Sequence, residues 1–220
     1  MYPKLIFGCS CALAEAAMAG DASLDVVVAD LGHRWATTHY TAPETAKDSG
    51  YLALVTSAQQ VAESYPRRAE PLIWEAIALA SAAKVEGGLA ALGKAKQARE
   101  VLLAAEAIDP TAMQGAVYST LGSLYAKVPG WPIGFGDTKK AKAYLEKALA
   151  INPDGIDANY FYADYLNDQG DYSASAKHLD LALLAPARAG REDADVGRRR
   201  EALMLLTALK EKHGAELARR

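Results

Sequence analysis

The sequence predicts an all-α fold: a solenoid of helical hairpins in a right-handed superhelix, closed by a C-terminal capping helix. Three observations carry this. First, 46 of the 220 residues are alanine, with β-branched residues sparse by comparison, and alanine has the highest intrinsic helix propensity. Second, the chain repeats itself. Leu102-x-x-Ala105-x-x-Ile108-Asp109-Pro110 recurs as Leu145-x-x-Ala148-x-x-Ile151-Asn152-Pro153, at an offset of 43 that also maps Ala98 onto Ala141. An offset of 34 then carries Leu145 and Ala148 onto Leu179 and Ala182, with Ala185-Pro186 closing that unit. Fixed periods of this size are the mark of repeat architectures. Third, each unit ends in a proline, which disfavours helix at the residue before it.

The elements follow in order. Residues 1–19 read as a candidate secretory signal: Lys4, the apolar run Leu5 to Leu13, and Ala17-Met18-Ala19 as a cleavage site before Gly20. The alternative is an N-terminal helix of a cytosolic protein. Ile6-Phe7-Gly8-Cys9 is also a faint lipoprotein-type box, with eight residues before the cysteine. The two cysteines, Cys9 and Cys11, both fall in this stretch, so signal removal would leave no disulfide. Residues 20–220 then form one helical domain. Helices are expected near 24–39, 48–64, 70–84, 91–108, 112–127, 138–150, 155–168, 172–184 and 193–212. Tyr40-Thr41-Ala42-Pro43 breaks the first pair, and Gln169-Gly170-Asp171-Tyr172 is a turn between helices. Asp137, ahead of Thr138 and Lys139, is placed to cap the helix that follows it. The repeat pairs span about 70–110, 112–153 and 155–186. Their first helices share an apolar-small face: Trp74, Ile77 and Ala78; Leu121-Gly122-x-x-Tyr125; Tyr162-Ala163-x-x-Leu166. The last helix, apolar on one side of Glu201 to Leu209, covers the final open face.

On these residues the segment Asp157 to Pro186 resembles a tetratricopeptide repeat. The two units before it resemble stretched versions, lengthened by 127–137 and 85–93. The Gly-Pro-aromatic insert Lys127–Asp137 makes the chain similar to the bacterial TRAP-transporter-associated TatT family. That resemblance implies an accessory role near a solute-uptake or envelope system. The tetratricopeptide resemblance implies that the first helix of each pair lines a concave groove. This would place Tyr160, Asp164 and Asn167 in the groove, with Ser119 and Ser123 upstream and Glu75 and Leu79 before those.

The remaining motifs narrow the function classes. A net charge of −3 argues against a nucleic-acid coat. Outside the first stretch no run is long and apolar enough to span a bilayer. Gly88-x-x-x-x-Gly93-Lys94 is nearly a phosphate loop, but Ala95 stands where Ser or Thr must hold magnesium, and an alanine-rich helix precedes it in place of a strand. His33 and His39 are six apart, on different helix faces, and no HExxH or paired spacing occurs, so no metal and no cofactor is expected. No Ser sits in a G-x-S-x-G elbow. Asp157, Asp164, Asp168 and Asp171 form a carboxylate group, with Asp164 and Asp168 on one face. A solvated helix face explains them better than acid–base chemistry.

Two further segments are candidate binding elements. In the 127–137 insert, Trp131 and Phe135 dock into the protein's own core or meet a ligand, and both can be partly true. Arg191 and Arg198, in the basic stretch 188–200, either bind an acidic partner or pair within their helix. The expectation is a non-enzymatic scaffold, exported to the periplasm, that binds a protein, a peptide or a small organic ligand. The alternative is a cytoplasmic peptide-binding adaptor. An enzyme using the acidic groove is the remote third reading.

Overall fold

The computed structural model describes residues 11–217. Segment 1–10, with Cys9 and most of the apolar run of the candidate signal, lies outside the described residues. Among those described, the chain forms α1 (Cys11–Tyr40), α2 (Glu44–Ser64), α3 (Glu70–Glu86), α4 (Ala91–Ile108), α5 (Ala112–Lys127), α6 (Thr138–Ile151), α7 (Ile156–Asp168), α8 (Tyr172–Leu184) and α9 (Glu192–Leu217), and no strand.

The repeat positions explain the stacking. Ala98, Leu102 and Ala105 of α4, their counterparts Ala141, Leu145 and Ala148 of α6, and Leu179 and Ala182 of α8 are all completely buried. Ser175 stands where the third unit would carry alanine. It is also buried and donates from Oγ to the Ala163 carbonyl at 2.8 Å, so its hydroxyl is satisfied. Close approach is sharpest at Gly122 of α5. A Cβ there would lie 2.5 Å from Leu145 Cγ, so only glycine lets α5 settle onto α6.

Caps set several boundaries. Asp137 accepts from the Lys139 and Lys140 amides, both at 3.0 Å, at the start of α6. Asp171 does the same for α8 through the Ala174 amide at 3.1 Å. Each such cap is worth about 0.5–2 kcal/mol. The start of α5 is unusual. Met113 and Gln114 sit at φ 49° and 59°, and Gly115 follows at φ 79°, so the regular right-handed turn begins after it. Non-glycine residues rarely adopt this left-handed region.

Sequence neighbours pack in hairpins, α3 on α4, α5 on α6 and α7 on α8, with α2 also on α3. The odd-numbered helices meet one another as well: α1 with α3, α3 with α5, α5 with α7, α7 with α9, and α9 returns to α1. Among the described residues, no two even-numbered helices pack backbone against backbone; α4 and α6 meet through the Lys147–Glu106 ion pair at 3.7 Å. The odd helices therefore make a closed inner ring, and the even ones an outer layer. The solenoid does not end open, because α9 closes the ring against α1.

Candidate functional site

The seam of the ring, where α9 meets α1 and α7, concentrates the buried charge. Asp157, in the first turn of α7, accepts from Arg188 Nη1 at 2.7 Å and from Arg198 Nε at 2.8 Å. Arg198 Nη1 reaches Glu201 at 2.6 Å, one turn along α9. Glu201 accepts in turn from the Tyr40 hydroxyl at 3.1 Å and contacts His39 Nε2 at 3.3 Å. The other ring nitrogen of His39 meets the Tyr51 hydroxyl at 2.7 Å. On the far side, Arg188 holds buried Asp195 through Nε at 2.7 Å and through its own amide at 2.9 Å. A chain of charge thus runs from α1 through α9 to α7.

These contacts govern the electrostatics. Burial works to raise the Asp157 carboxyl, but Arg198 and then Arg188 outweigh it and hold the group well below the usual carboxylate range. Glu201 is lowered in the same way: burial opposes, and the hydrogen bond from His39 and the charge of Arg198 prevail. Burial pushes the Tyr160 hydroxyl up to about 12, with Glu201 adding to the rise. Every one of these groups is committed to a partner, which is the condition for burying charge at tolerable cost.

The structure places the sequence-predicted residues in three settings. Tyr160 and Arg198 come together: the guanidinium lies 4.6 Å from the Tyr160 ring and 4.7 Å from Phe161. Arg198 is only 7% exposed and its carboxylate partners are intramolecular. Pairing along its own helix, to Glu201, is therefore only half of its role. Asp164 lies elsewhere on α7, paired with Lys127 at 2.9 Å beside Asp168 at 2.6 Å. Asn167 sits half-buried one turn on. Arg191 lies over Trp74 with its guanidinium carbon 5.0 Å from the ring. Glu75 and Leu79, placed on the groove by counting, are buried at 6% and 3% exposure. The reason is that α1 and α2 cover α3: Glu75 accepts from Gln59 at 2.8 Å, and Trp74 packs against Gly32.

The insert divides its two aromatics. Phe135 turns inward, edge-on to Tyr125 at 5.4 Å and beneath the Arg99 guanidinium at 4.5 Å. Trp131 stands 89% exposed, with Ile133 at 56%. The loop closes on itself: the Gly136 amide donates to the Pro129 carbonyl, the Gly134 amide to that of Gly130, and the Asp137 amide to that of Tyr125. Gly134 approaches Val128 and Leu92, so the insert lies beside the start of α4, where Leu89 is 77% exposed. Self-docking and outward display are thus both realised, by different residues.

Sequence reasoning missed the seam partners His39, Tyr40 and Glu201. The two histidine and tyrosine positions lie about 160 residues from the glutamate, and no local spacing links them. Among the described residues, no group of three or more His, Cys, Asp or Glu side chains is placed to hold a metal ion. No helix among them is long and apolar enough to cross a membrane.

The tetratricopeptide repeat family model matches residues 133–190, which is α6 to α8 with their flanking loops. No curated protein matches the chain. Among solved structures, a thermophilic tetratricopeptide protein of Thermus thermophilus is similar at a TM-score of 0.52 and 21% identity, covering 72% of this chain and 78% of that one. The chain thus carries a tetratricopeptide repeat segment at 133–190, set within an all-α helical-hairpin solenoid of the fold that protein shows.

Proposed function

We propose that the chain is a non-catalytic scaffold that binds a protein partner at the loop edge around Trp131. One observation carries this. The ring is closed where α9 meets α1 and is held there by intramolecular ion pairs, while Trp131, Ile133 and Leu89 stand exposed on two adjoining loops. Exposed aromatics on a self-bonded loop are typical anchors of protein interfaces. No nucleophile, base and orienting group converge in the seam, because each of its polar groups is already spent on another.

The finer reading is an exported accessory factor near a solute-uptake or envelope system, a TatT-like role. The Lys4, apolar and Ala-x-Ala pattern of 1–19 and the stretched repeat units support it. The cytoplasmic adaptor is the alternative. Two measurements test the proposal. Intact mass of protein from the periplasmic fraction of a Gram-negative host should begin at Gly20; a full-length mass confined to the cytosol overturns export. Cross-linking capture from an envelope extract should recover a partner with the full chain and lose it with Trp131→Ala. Equal recovery by that variant removes the loop edge as the interface.

A further inference from the structure

Among the described residues, the buried donors without a hydrogen-bond acceptor include Arg191 Nε and Trp74 Nε1, and these two belong to the same stacked pair. Trp74 is 1% exposed. The carboxylates near Arg191 are engaged elsewhere: Asp157 with Arg188 and Arg198, Asp195 with Arg188, and Asp193 with His33. Burial and then the neighbouring Arg188 charge press against the Arg191 cation, and the charges of Asp157, Asp195 and Asp193 oppose them in part. Arg191 is half-buried, and its Nε is enclosed without an acceptor, a donor whose burial costs free energy until a partner meets it.

Arg191 also lines a cavity of about 50 Å³ between α3, α5, the start of α7 and the loop that leads into α9. Its wall is divided by chemistry. Ile77, Met113 and Ile156 are apolar, Ser119, Gln114 and Asn152 are polar, and the paired Asp157 and Arg188 add one charge of each sign. The N-terminus of α7 opens in this wall, and its cap residue Gly155 offers no side-chain acceptor to the first-turn amides.

We propose that this cavity binds the carboxylate group of a small aliphatic monocarboxylic acid, held by the Arg191 guanidinium, with the short chain against Ile77, Met113 and Ile156. The planar guanidinium matches a carboxylate in shape and charge. Size limits the guest: one water needs roughly 10–15 Å³ by this measure, so the space admits a carboxylate and one or two carbons. Charge limits it as well. Arg188 and Arg198 are fully engaged, so the cation of Arg191 suits a monoanion better than sulfate or phosphate. The inference stands apart from the loop-edge interface, and neither depends on the other.

The test uses the full chain and sodium propanoate, with propanamide as the neutral isostere and sodium chloride and sodium sulfate at matched ionic strength. Calorimetric titration should show saturable propanoate binding, and the melting temperature should rise with propanoate alone. Arg191→Gln should weaken binding about tenfold or more, with Arg191→Lys in between. Ala116→Leu, which fills the cavity from α5 and leaves Arg191 in place, should block binding independently, should Arg191→Gln fail to fold. Three results overturn the proposal: no saturable binding up to roughly 50 mM propanoate, equal stabilisation by propanamide or either inorganic salt, or unchanged affinity in a folded Arg191→Gln protein.

Discussion

Replacing Arg198 with methionine tests whether the seam holds the ring closed. The substitution keeps a long flexible side chain and removes the charge. Arg198 is 7% exposed, bonds Asp157 at 2.8 Å and Glu201 at 2.6 Å, and lies over Tyr160 and Phe161. Its loss leaves two carboxylates partly buried, although Asp157 keeps Arg188 and Glu201 keeps His39 and Tyr40. Breaking a buried pair by removing one partner costs about 3–5 kcal/mol. A chain of this length shifts by about 2–4 °C per kcal/mol, so the melting temperature should fall by roughly 6–20 °C. The pH dependence adds a second signature. Asp157 and Glu201 are both held below their ordinary values. The stability they contribute is therefore complete above the unfolded carboxylate pKa, about 4, and is lost as pH falls towards the depressed folded values. The gap between wild type and variant should be widest above pH about 4.5 and should narrow below it. Circular dichroism melts at a series of pH values measure both. A loss under about 1 kcal/mol at neutral pH, or a gap that widens in acid, refutes the reasoning.

The insert should respond unequally to truncation. Trp131→Ala should leave stability within about 0.5 kcal/mol of wild type, because the ring is solvated, while Phe135→Ala should cost about 1.5–3 kcal/mol from lost packing on Tyr125 and Arg99, read by denaturant unfolding. Gly122→Ala should destabilise by about 1–3 kcal/mol, since its Cβ meets Leu145 Cγ at 2.5 Å; a second change, Leu145→Ala, should restore part of that loss, and an unaffected single variant would show that α5 and α6 can part without penalty.

The repeat elements were legible because their cause is local. A 43-residue or 34-residue copy of Leu-x-x-Ala imposes the same buried face each time, and the prolines at 110, 153 and 186 mark the ends. The expected helices 91–108, 112–127 and 172–184 coincide with α4, α5 and α8 in full. The left-handed start of α5 was not legible, since Met113 and Gln114 carry no glycine-like signal; Gly115 alone hinted at it. At the site, Tyr160 and Arg198 were named from separate segments without any indication that they touch. The sequence leaves open how docking and display divide between Trp131 and Phe135; four residues of self-bonded loop turn them to opposite environments.

By itself the sequence determined the helical class, the hairpin rhythm, the cap at Asp137, and the alanine and glycine positions where helices meet. All of these follow from propensity, periodicity and steric size acting between near neighbours in the chain. Only the tertiary structure decided that α9 returns to α1. That closure joins two ends that a repeat pattern alone would leave apart. It buries Arg198, expected to meet a partner or pair along its helix, while the cover of α1 and α2 over α3 buries Glu75 and Leu79, expected in the groove. The deciding contacts, His39 with Glu201 and His33 with Asp193, join residues about 160 apart. Whether such pairs form depends on how the rotations of every intervening helix accumulate, and no local sequence rule encodes that sum.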